Sequence, residues 1–511
     1  MRYLMGIDLG TTVLKTAIVD EEGKLLACSS REYAIKTPRP GWAEQEPEMW
    51  LEVALSTTRE ALAKSGIPAR NLSGIGFSGQ MHGTVCLDEK GGILRPAIIW
   101  ADQRSKEQVA QVYKRIGKEK LGSWTANPLA TGFMLATLLW LRENEPETYR
   151  RTAKVLLPKD YLRYRFTGQP GTEVTDGSST LLMDTAKRKW SREMLAAFEI
   201  EEAILPQARE SAEVAGELRR EVAEAAGLPE GIPVIYGGGD QPMQALGNGV
   251  IRPGILSSTI GTAGQLFITL ERPIYDPELR MHTFCHAIPD RWFMMAAILS
   301  AGLGLKWLRE NVLNGESYGE LADSASKIPP GAEGLLFLPY LLGERSPHMD
   351  PMARAAFVGL TLRHRRAHLV RAVMEGVVLA LREGLELMMG LGVEVERIVA
   401  SGGGTRHPLW LKLQADIFNR EIYQTKTEEA AAVGAALLAG VGVGIYRNIE
   451  EACERTVHWQ EEVIRPDPEN VARYNEIFVR YRRLYPALRE EFHLASESLR
   501  GRQTINRLAT R

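Results

Sequence analysis

The stretch Leu4-Met-Gly-Ile-Asp-Leu-Gly-Thr-Thr12 near the start of the chain decides how the rest is interpreted. Its apolar residues predict a strand that ends near Asp8 and enters a tight turn. A second strand is predicted over residues 13–19, a turn over 20–23 and a third strand over 24–29. The chain is therefore expected to open with an antiparallel meander.

The order of the later elements predicts an α/β protein. Apolar residues recur at helical spacing over residues 48–64, and a strand is predicted over 72–77. Residues 254–268 repeat the pattern of strand, Gly-Thr turn and strand, as a distant internal echo rather than a repeat array. We therefore predict two related lobes, with a C-terminal segment that is charged and helical: residues 1–250, 251–445 and 446–511. The polar end from Leu494 is interpreted as a solvated or frayed tail.

Composition excludes several classes of protein. The 511 residues are 44% hydrophobic and 25% charged, as in an ordinary globular protein of two large or three average domains. A net charge of −2 gives no reason to expect a nucleic acid or an anionic membrane as partner. The four cysteines form no Cys-x-x-Cys pair, and no apolar run approaches the ~20 residues that span a bilayer. We therefore expect a cytoplasmic protein.

Two Gly-Thr turns are candidate phosphate-binding sites. In the turn Gly10-Thr11-Thr12, backbone N–H groups and threonine hydroxyls can form an anion-binding nest, and Asp8 is placed to hold Mg²⁺ directly or through water. Gly261 and Thr262 begin a similar turn in the second lobe. Either turn alone could be an ordinary hairpin, but two in two lobes resemble the phosphate clamp of actin-like ATPases. Lys15 is interpreted as an exposed strand residue.

A third glycine-rich turn is a candidate for the nucleoside. Gly402, Gly403 and Gly404 follow a predicted strand at 397–400 and precede a helix predicted over 408–418. Glycine there would let a flat adenine and a ribose approach the backbone closely, although a plain strand-to-helix turn explains it too. The chain has neither the Gly-x-Gly-x-x-Gly spacing of a dinucleotide fold nor a P-loop.

Asp240 is the candidate general base. It ends the run Val234-Ile-Tyr-Gly-Gly-Gly-Asp240, in which three glycines permit a sharp turn and close approach of a substrate. The alternative is a turn or cap residue.

Gln80, Met81, His82 and Trp100 are candidates for a sugar pocket, because amide and imidazole groups bind hydroxyls while Met and Trp supply apolar walls. The alternatives are a capped loop and a core tryptophan. A cluster of His282, Cys285 and His286 resembles a metal site but has no second cluster to complete it, so a strand with a buried Cys285 is favoured.

With these residues in view, the chain resembles the FGGY family of carbohydrate kinases over nearly its whole length, to about residue 490. The turn at residues 8–12 is similar to the family's first phosphate loop, Gly79-Gln-Met-His-Gly83 to its sugar motif, and residues 355–375 to its C-terminal signature. The resemblance implies two actin-like (ribonuclease H-like) lobes with a deep cleft. It also implies transfer of phosphate from Mg-ATP to the terminal hydroxyl of a ketopentose, with D-xylulose favoured.

The resemblance also implies the roles of individual residues. Asp240 would be the proton acceptor, Met81, His82, Asp240 and Gln241 would contact the sugar, and Asp8 and Asp240 are the candidate Mg²⁺ ligands. The chain departs from the family pattern at three positions: Gln241 replaces the asparagine usual after the catalytic aspartate, Ala263 replaces a serine and Thr137 replaces a lysine. Ribulose, L-xylulose, a pentitol or glycerol are therefore alternative substrates, and an actin-like interaction ATPase is the alternative from another class. A homodimer is possible, since related kinases often form one.

Overall fold

The computed structural model describes residues 1–313 and 315–509, with the side chains of 497–509 outside the description. Most of the predicted polar tail therefore lies outside the described side chains. The strands are β1 Tyr3–Leu9, β2 Val13–Asp20, β3 Leu25–Glu32, β4 Glu44–Gln45, β5 Leu72–Gly79, β6 Val85–Leu87, β7 Ala97–Ile98, β8 Lys154–Leu156, β9 Thr172–Glu173, β10 Met183–Asp184, β11 Lys189–Trp190, β12 Ala208–Arg209, β13 Val214–Glu217, β14 Pro233–Ile235, β15 Gly238–Gly239, β16 Gly254–Ile260, β17 Gly264–Leu270, β18 His282–Cys285, β19 Trp292–Ile298, β20 Leu336–Leu338, β21 Ala356–Val358, β22 Val395–Ser401 and β23 Ile422–Gln424.

The helices alternate with these strands, as expected of an α/β protein. They are α1 Pro47–Ser65, α2 Lys106–Thr125, α3 Met134–Asn144, α4 Pro146–Arg151, α5 Pro158–Thr167, α6 Val174–Ser179, α7 Arg192–Phe198, α8 Arg220–Ala226, α9 Asp240–Gly247, α10 Gly302–Asn311, α11 Tyr318–Ser326, α12 Arg366–Gly390, α13 Pro408–Phe418, α14 Ala430–Gly442, α15 Ile449–Thr456, α16 Pro468–Tyr481 and α17 Leu484–Ala509. None of the helices in the described part of the chain has both the length and the apolar character needed to cross a bilayer.

The chain divides into two units, of which the first comprises residues 1–252, 269–294 and 426–458. Its main sheet has the order β13-β14-β5-β1-β2-β3, with β15 also paired to β5. Strands β1, β2 and β3 are antiparallel neighbours, so the predicted meander is confirmed. One apolar core of this unit includes Trp50 of α1, Phe77 of β5 and Phe166 of α5, all fully buried.

Helix α14 lies very close to this sheet because both surfaces are made of small residues. A Cβ atom added at Gly6 would lie 1.8 Å from the carbonyl oxygen of Ala432, and one at Gly76 would lie 2.0 Å from that of Ala435. Both distances are far below van der Waals contact, so only glycine allows the helix to approach β1 and β5 this closely. The packing fixes the two strands that carry the candidate site.

The second unit comprises residues 253–268, 295–425 and 459–511. Strands β16 and β17 form an antiparallel hairpin, and β22 pairs parallel to β16 on the other side. In the first unit β1 has the same neighbours, antiparallel β2 and parallel β5. The internal echo predicted from the sequence is therefore confirmed as a shared strand order, and helix α13 begins and ends at the predicted residues.

Candidate active site

Three parallel strands of the first unit end side by side at one edge of the sheet. Asp8 of β1 pairs with Ser78 of β5, which pairs in turn with Gly238 of β15. Because the carboxyl ends of parallel strands meet at the same edge, the segments that follow them start close together. These are the turn after Asp8, the Gln80-Met81-His82 motif and Asp240, which the sequence predicted as separate features.

Asp240 is the first residue of α9 and is half-buried. The sharp turn before it depends on Gly237, whose φ of 81° is left-handed and where a Cβ would lie 2.1 Å from the carbonyl oxygen of Phe77. The Gly239 N–H donates to Thr175 Oγ1 at 2.9 Å and fixes the backbone just before the carboxylate. Burial and the negative charge of Asp8 raise the pKa of Asp240 to about 7, against the opposing hydrogen bonds of Gln241.

Asp8 is also half-buried and is held by a neighbouring strand. The hydroxyl of Ser78 donates to Asp8 Oδ1 at 2.7 Å. Burial raises the pKa of Asp8, while the Ser78 hydroxyl and the charge of Lys15 oppose the shift. Lys15 lies in β2, as predicted, but it is half-buried and forms a salt bridge with Glu429 that the sequence did not predict.

The first candidate phosphate turn is hydrogen-bonded to the candidate sugar pocket. The Trp100 indole N–H donates to Thr11 Oγ1 at 2.9 Å, and Trp100 is half-buried rather than fully buried. Within the turn the Gly10 N–H donates to the carbonyl of Val13 at 3.1 Å, while Thr12 is exposed. Gln45, which the sequence analysis missed, donates its amide to the Thr11 carbonyl at 2.7 Å.

Met81 and His82 are both packed against neighbouring residues at the edge of the sheet. A Cβ at Gly239 would lie 2.8 Å from Met81 Cγ, so Met81 packs directly on the strand that leads to Asp240. His82 has a left-handed φ of 72° and its ring stacks on Phe133, with centroids 3.8 Å apart. His82 Nδ1 lies 2.9 Å from the carbonyl oxygen of Ser179, which places the proton of a neutral ring on Nδ1 and makes Nε2 its acceptor.

A buried ionic cluster lies against the segment that leads to Asp240, and the sequence did not predict it. Lys159 Nζ lies 2.7 Å from Asp160, 3.5 Å from Glu173 and 3.4 Å from Asp176, and all four side chains are fully buried. Lys159 also donates to the carbonyl of Tyr236 at 3.2 Å, immediately before the three glycines. Burial disfavours the ammonium, but the three carboxylates outweigh it and raise the pKa of Lys159.

The second unit brings its own two candidate turns together. Thr259 pairs with Ser401 across parallel strands, and their hydroxyls lie 2.7 Å apart, so the turns that follow β16 and β22 begin side by side. The Gly261 carbonyl accepts from Gly302 at 2.8 Å, and the Thr262 carbonyl accepts from Ala301 at 3.0 Å and Leu303 at 3.1 Å. The turn at Gly261 and Thr262 is thus hydrogen-bonded to the start of α10. Gly402, Gly403 and Gly404 continue directly from Ser401 into a short 3₁₀ helix.

The remaining sequence features have structural roles. His282 and Cys285 lie in β18, as the strand interpretation predicted, and Cys285 is buried. Burial and nearby arginines lower the pKa of His286 to about 3, so this ring is neutral. Across the described residues no group of three or more His, Cys, Asp or Glu side chains is placed to hold a metal ion. Thr137 is buried within α3.

Residues 3–247 match the N-terminal domain of the FGGY family of carbohydrate kinases, and residues 256–443 match its C-terminal domain. A xylulose kinase from Lactococcus lactis is 38% identical over 96% of this chain and 98% of its own length. Solved structures of a xylulose kinase and a gluconate kinase, both from Lactobacillus acidophilus, superimpose with TM-scores of 0.92 and 0.90 at 26% identity. The first comparison covers 96% of this chain and 99% of that one, and the second covers 95% and 98%.

This chain belongs to the FGGY family of carbohydrate kinases, and its fold is the two-domain, actin-like fold of that family. It is therefore a carbohydrate kinase that acts on a sugar and ATP. The predicted family and fold class are confirmed. Membership of a kinase family also decides against the alternative of an actin-like interaction protein.

Proposed function

We propose that this kinase transfers the γ-phosphoryl group of ATP to the terminal hydroxyl of D-xylulose, giving D-xylulose 5-phosphate. The observation that carries the proposal is the sheet edge at which Asp8, Ser78 and Gly238 align, with Asp240 and the Gln80-Met81-His82 motif directly after it. The similarity to proteins named xylulose kinase supports the choice of sugar.

In this proposal Asp240 accepts the proton of the sugar hydroxyl. The oxygen then forms a bond to the γ-phosphorus as the bond to the β-phosphate oxygen breaks, and ADP leaves. A general base works best when its pKa is close to the working pH, and the pKa of Asp240 is raised to about 7. Trp100, Met81, His82, Gln80 and Gln241 would hold the sugar so that its hydroxyl meets this carboxylate. Positioning is decisive here because phosphoryl transfer has a loose transition state.

The side-chain oxygen of Gln80 is an observation in favour of the proposed sugar site. Its Nε2 donates to Gln45, but its Oε1 is buried and has no hydrogen-bond partner among the described residues. Buried acceptors are rarely left unmatched, because losing hydration without compensation costs about 1–3 kcal/mol. A sugar hydroxyl is a donor of the kind this oxygen lacks.

We propose that Asp8 and Asp240 are the Mg²⁺ ligands of the first unit. Carboxylate oxygens are the ligands that Mg²⁺ prefers, together with water and substrate phosphates. The two carboxylates repel each other enough to raise the pKa of Asp240, and a bound cation would relieve this repulsion. When bound, the ion neutralises charge on the transferring phosphate.

We propose that Gly10, Thr11 and Thr12 bind phosphate in the first unit, while Gly261 and Thr262 do so in the second. Gly402, Gly403 and Gly404 would accommodate the adenosine. The lobe boundary near residue 250, a cytoplasmic location and a homodimer remain predictions.

Gln241 is the observation that favours a substrate other than D-xylulose as the second candidate. Its side chain hydrogen bonds the carboxylate of Asp240, so a residue that departs from the family pattern touches the proposed base itself. Glutamine is one methylene longer than asparagine, and one methylene in a pocket changes selectivity by about 1–3 kcal/mol. A change of this size could make ribulose, L-xylulose, a pentitol or glycerol the preferred substrate.

A sugar panel tests the proposal. ADP release with Mg-ATP should be fastest with D-xylulose in a panel of D- and L-xylulose, D- and L-ribulose, xylitol and glycerol. Preference for another member would retain Asp240 as the proposed base and make Gln241 the first residue to replace in a search for the cause. ATP turnover that is indifferent to every sugar would contradict the proposed function.

The pH dependence tests the proposed base independently. Because the base must be ionised, kcat/KM for the sugar, measured with Mg-ATP far below saturation so that the metal-free enzyme titrates, should be constant above about pH 7, the pKa of Asp240. It should fall about tenfold per pH unit below that value. A profile that stays flat down to pH 5 would show that the ionisation of Asp240 does not control the reaction.

A further inference from the structure

Gln45 occupies a position in which every hydrogen bond of its amide fixes its orientation. It ends β4 and is fully buried. Gln45 Oε1 accepts from Gln80 Nε2 at 2.9 Å and from the Trp50 indole N–H at 3.3 Å, while its Nε2 donates to the Thr11 carbonyl at 2.7 Å. An indole N–H can only donate and a carbonyl can only accept, so the amide cannot be flipped without losing these bonds.

Through these bonds Gln45 joins two sites that the proposed function treats separately. Thr11 lies in the proposed phosphate turn, while Gln80 and Trp100 lie in the proposed sugar site. Thr11 is held at its carbonyl by Gln45 and at its hydroxyl by Trp100. The Gln80 backbone N–H also donates to the carbonyl of Leu9, two residues before Thr11, at 2.9 Å. The position of the phosphate turn therefore depends on residues of the sugar site.

We propose that Gln45 is a positioning residue that couples sugar binding to nucleotide binding. A sugar hydroxyl that donates to Gln80 Oε1 supplies the one bond this amide lacks, and so further restrains Gln45 and the Thr11 carbonyl, which are already joined to it. Nucleotide binding subsequently spends less conformational entropy on ordering the turn. Coupling between two binding sites is reciprocal, so the nucleotide must raise sugar affinity by the same factor. The inference rests on the proposed function, since it assumes that these two groups of residues bind sugar and phosphate.

The substitution Gln45→Glu separates this role from simple packing. Glutamate has the same shape and still accepts from Gln80 and Trp50, but its carboxylate cannot donate to the Thr11 carbonyl. The affinity for Mg-AMP-PNP is measured by calorimetry with and without saturating D-xylulose. In the wild type we expect the sugar to strengthen nucleotide binding at least about 5-fold, within the usual range of coupling between sites. In the variant the ratio of nucleotide affinities with and without sugar should fall to about 1, and the affinity for the sugar alone should change little.

Thr57→Val is the matched control for lost stability. Thr57 is fully buried in α1 and bonds Thr16 at 2.8 Å, so this variant should lower Tm without touching Gln45, Gln80 or Thr11. It should keep the wild-type coupling ratio.

Three results would overturn the coupling role. They are a wild-type ratio of one, a Gln45→Glu ratio equal to that of the wild type, and an equal loss of coupling in Thr57→Val. Failure of the proposed function would be seen separately, as D-xylulose that binds in calorimetry but causes no ADP release with ATP.

Discussion

Replacing Asp240 by asparagine is expected to lower kcat for sugar phosphorylation by about 10²- to 10⁴-fold, the range that a positioned general base contributes. Asparagine has the size of aspartate but cannot accept the hydroxyl proton. Affinity for Mg-ATP and for the sugar should change much less than kcat. The measurement is ADP release at saturating substrates, with calorimetry for both affinities.

Loss of the fold cannot mimic this result. The folded protein holds a proton on Asp240 up to about pH 7, so ionisation of this group costs stability as the pH rises from the ordinary carboxyl range toward 7. A neutral amide avoids that cost, and the variant should be at least as stable as the wild type at pH 8. Asp290→Asn is the matched control, since it makes the same change at an exposed residue with a left-handed φ of 53° that asparagine tolerates.

Near-normal kcat in Asp240→Asn would show that another group accepts the proton. Asp8→Asn would then be the next variant, because Asp8 is the other carboxylate at this edge of the sheet. A large rise in the sugar KM with unchanged kcat would instead make Asp240 a residue that only binds the sugar.

Local sequence signals predicted much of the site. The glycine run before Asp240 predicted a sharp turn, and the structure contains one at Gly237, where φ is 81°. The two strand–turn–strand patterns predicted the hairpins at Thr11 and Thr262. These features depend on neighbours in the chain, so the backbone chemistry of glycine and the alternation of apolar residues suffice to find them.

The alignment of the site could not be predicted in this way. Asp8, Ser78 and Gly238 become neighbours only through parallel pairing of strands that are far apart in the chain. No local pattern distinguishes this register from its neighbours. Gln45 was missed for the same reason: its importance lies in bonds to Thr11 and Gln80 from other segments.

Lys159 and its carboxylate neighbours were missed for a different reason. Charged residues in a short helix are usually solvated, and Lys159 and Asp160 at the start of α5 carry no signal of burial. In the structure they lie with Glu173 and Asp176 in one fully buried cluster. The sequence does not show which charges are paired, whereas burial of a charge is tolerated only when it is paired.

Lys159→Met is accordingly expected to lower the free energy of unfolding by about 3–5 kcal/mol, as removal of one partner from a buried ion pair does. Methionine fills a similar volume but leaves Asp160, Glu173 and Asp176 without their cation. Lys187→Met is the matched control, because Lys187 is 70% exposed and a solvent-exposed pair such as the one it forms with Asp184 contributes little to stability. Urea unfolding followed by tryptophan fluorescence measures both.

The pH dependence of the Lys159→Met deficit separates loss of charge pairing from poor packing. Without the ammonium, the buried carboxylates would bind protons more tightly in the folded protein than in the unfolded chain, and burial already raises the pKa of Asp176 well above its ordinary value. A group whose pKa is higher in the folded protein than in the unfolded chain makes the protein less stable as the pH rises. The difference in unfolding free energy between wild type and Lys159→Met should therefore shrink when the pH is lowered from 8 to 5. A deficit below about 1 kcal/mol would mean that the cluster contributes no more than a surface pair. A large loss of unfolding free energy that does not depend on pH would be due to packing. In that case Lys159 would not stabilise Tyr236 and the turn before Asp240 through its charge.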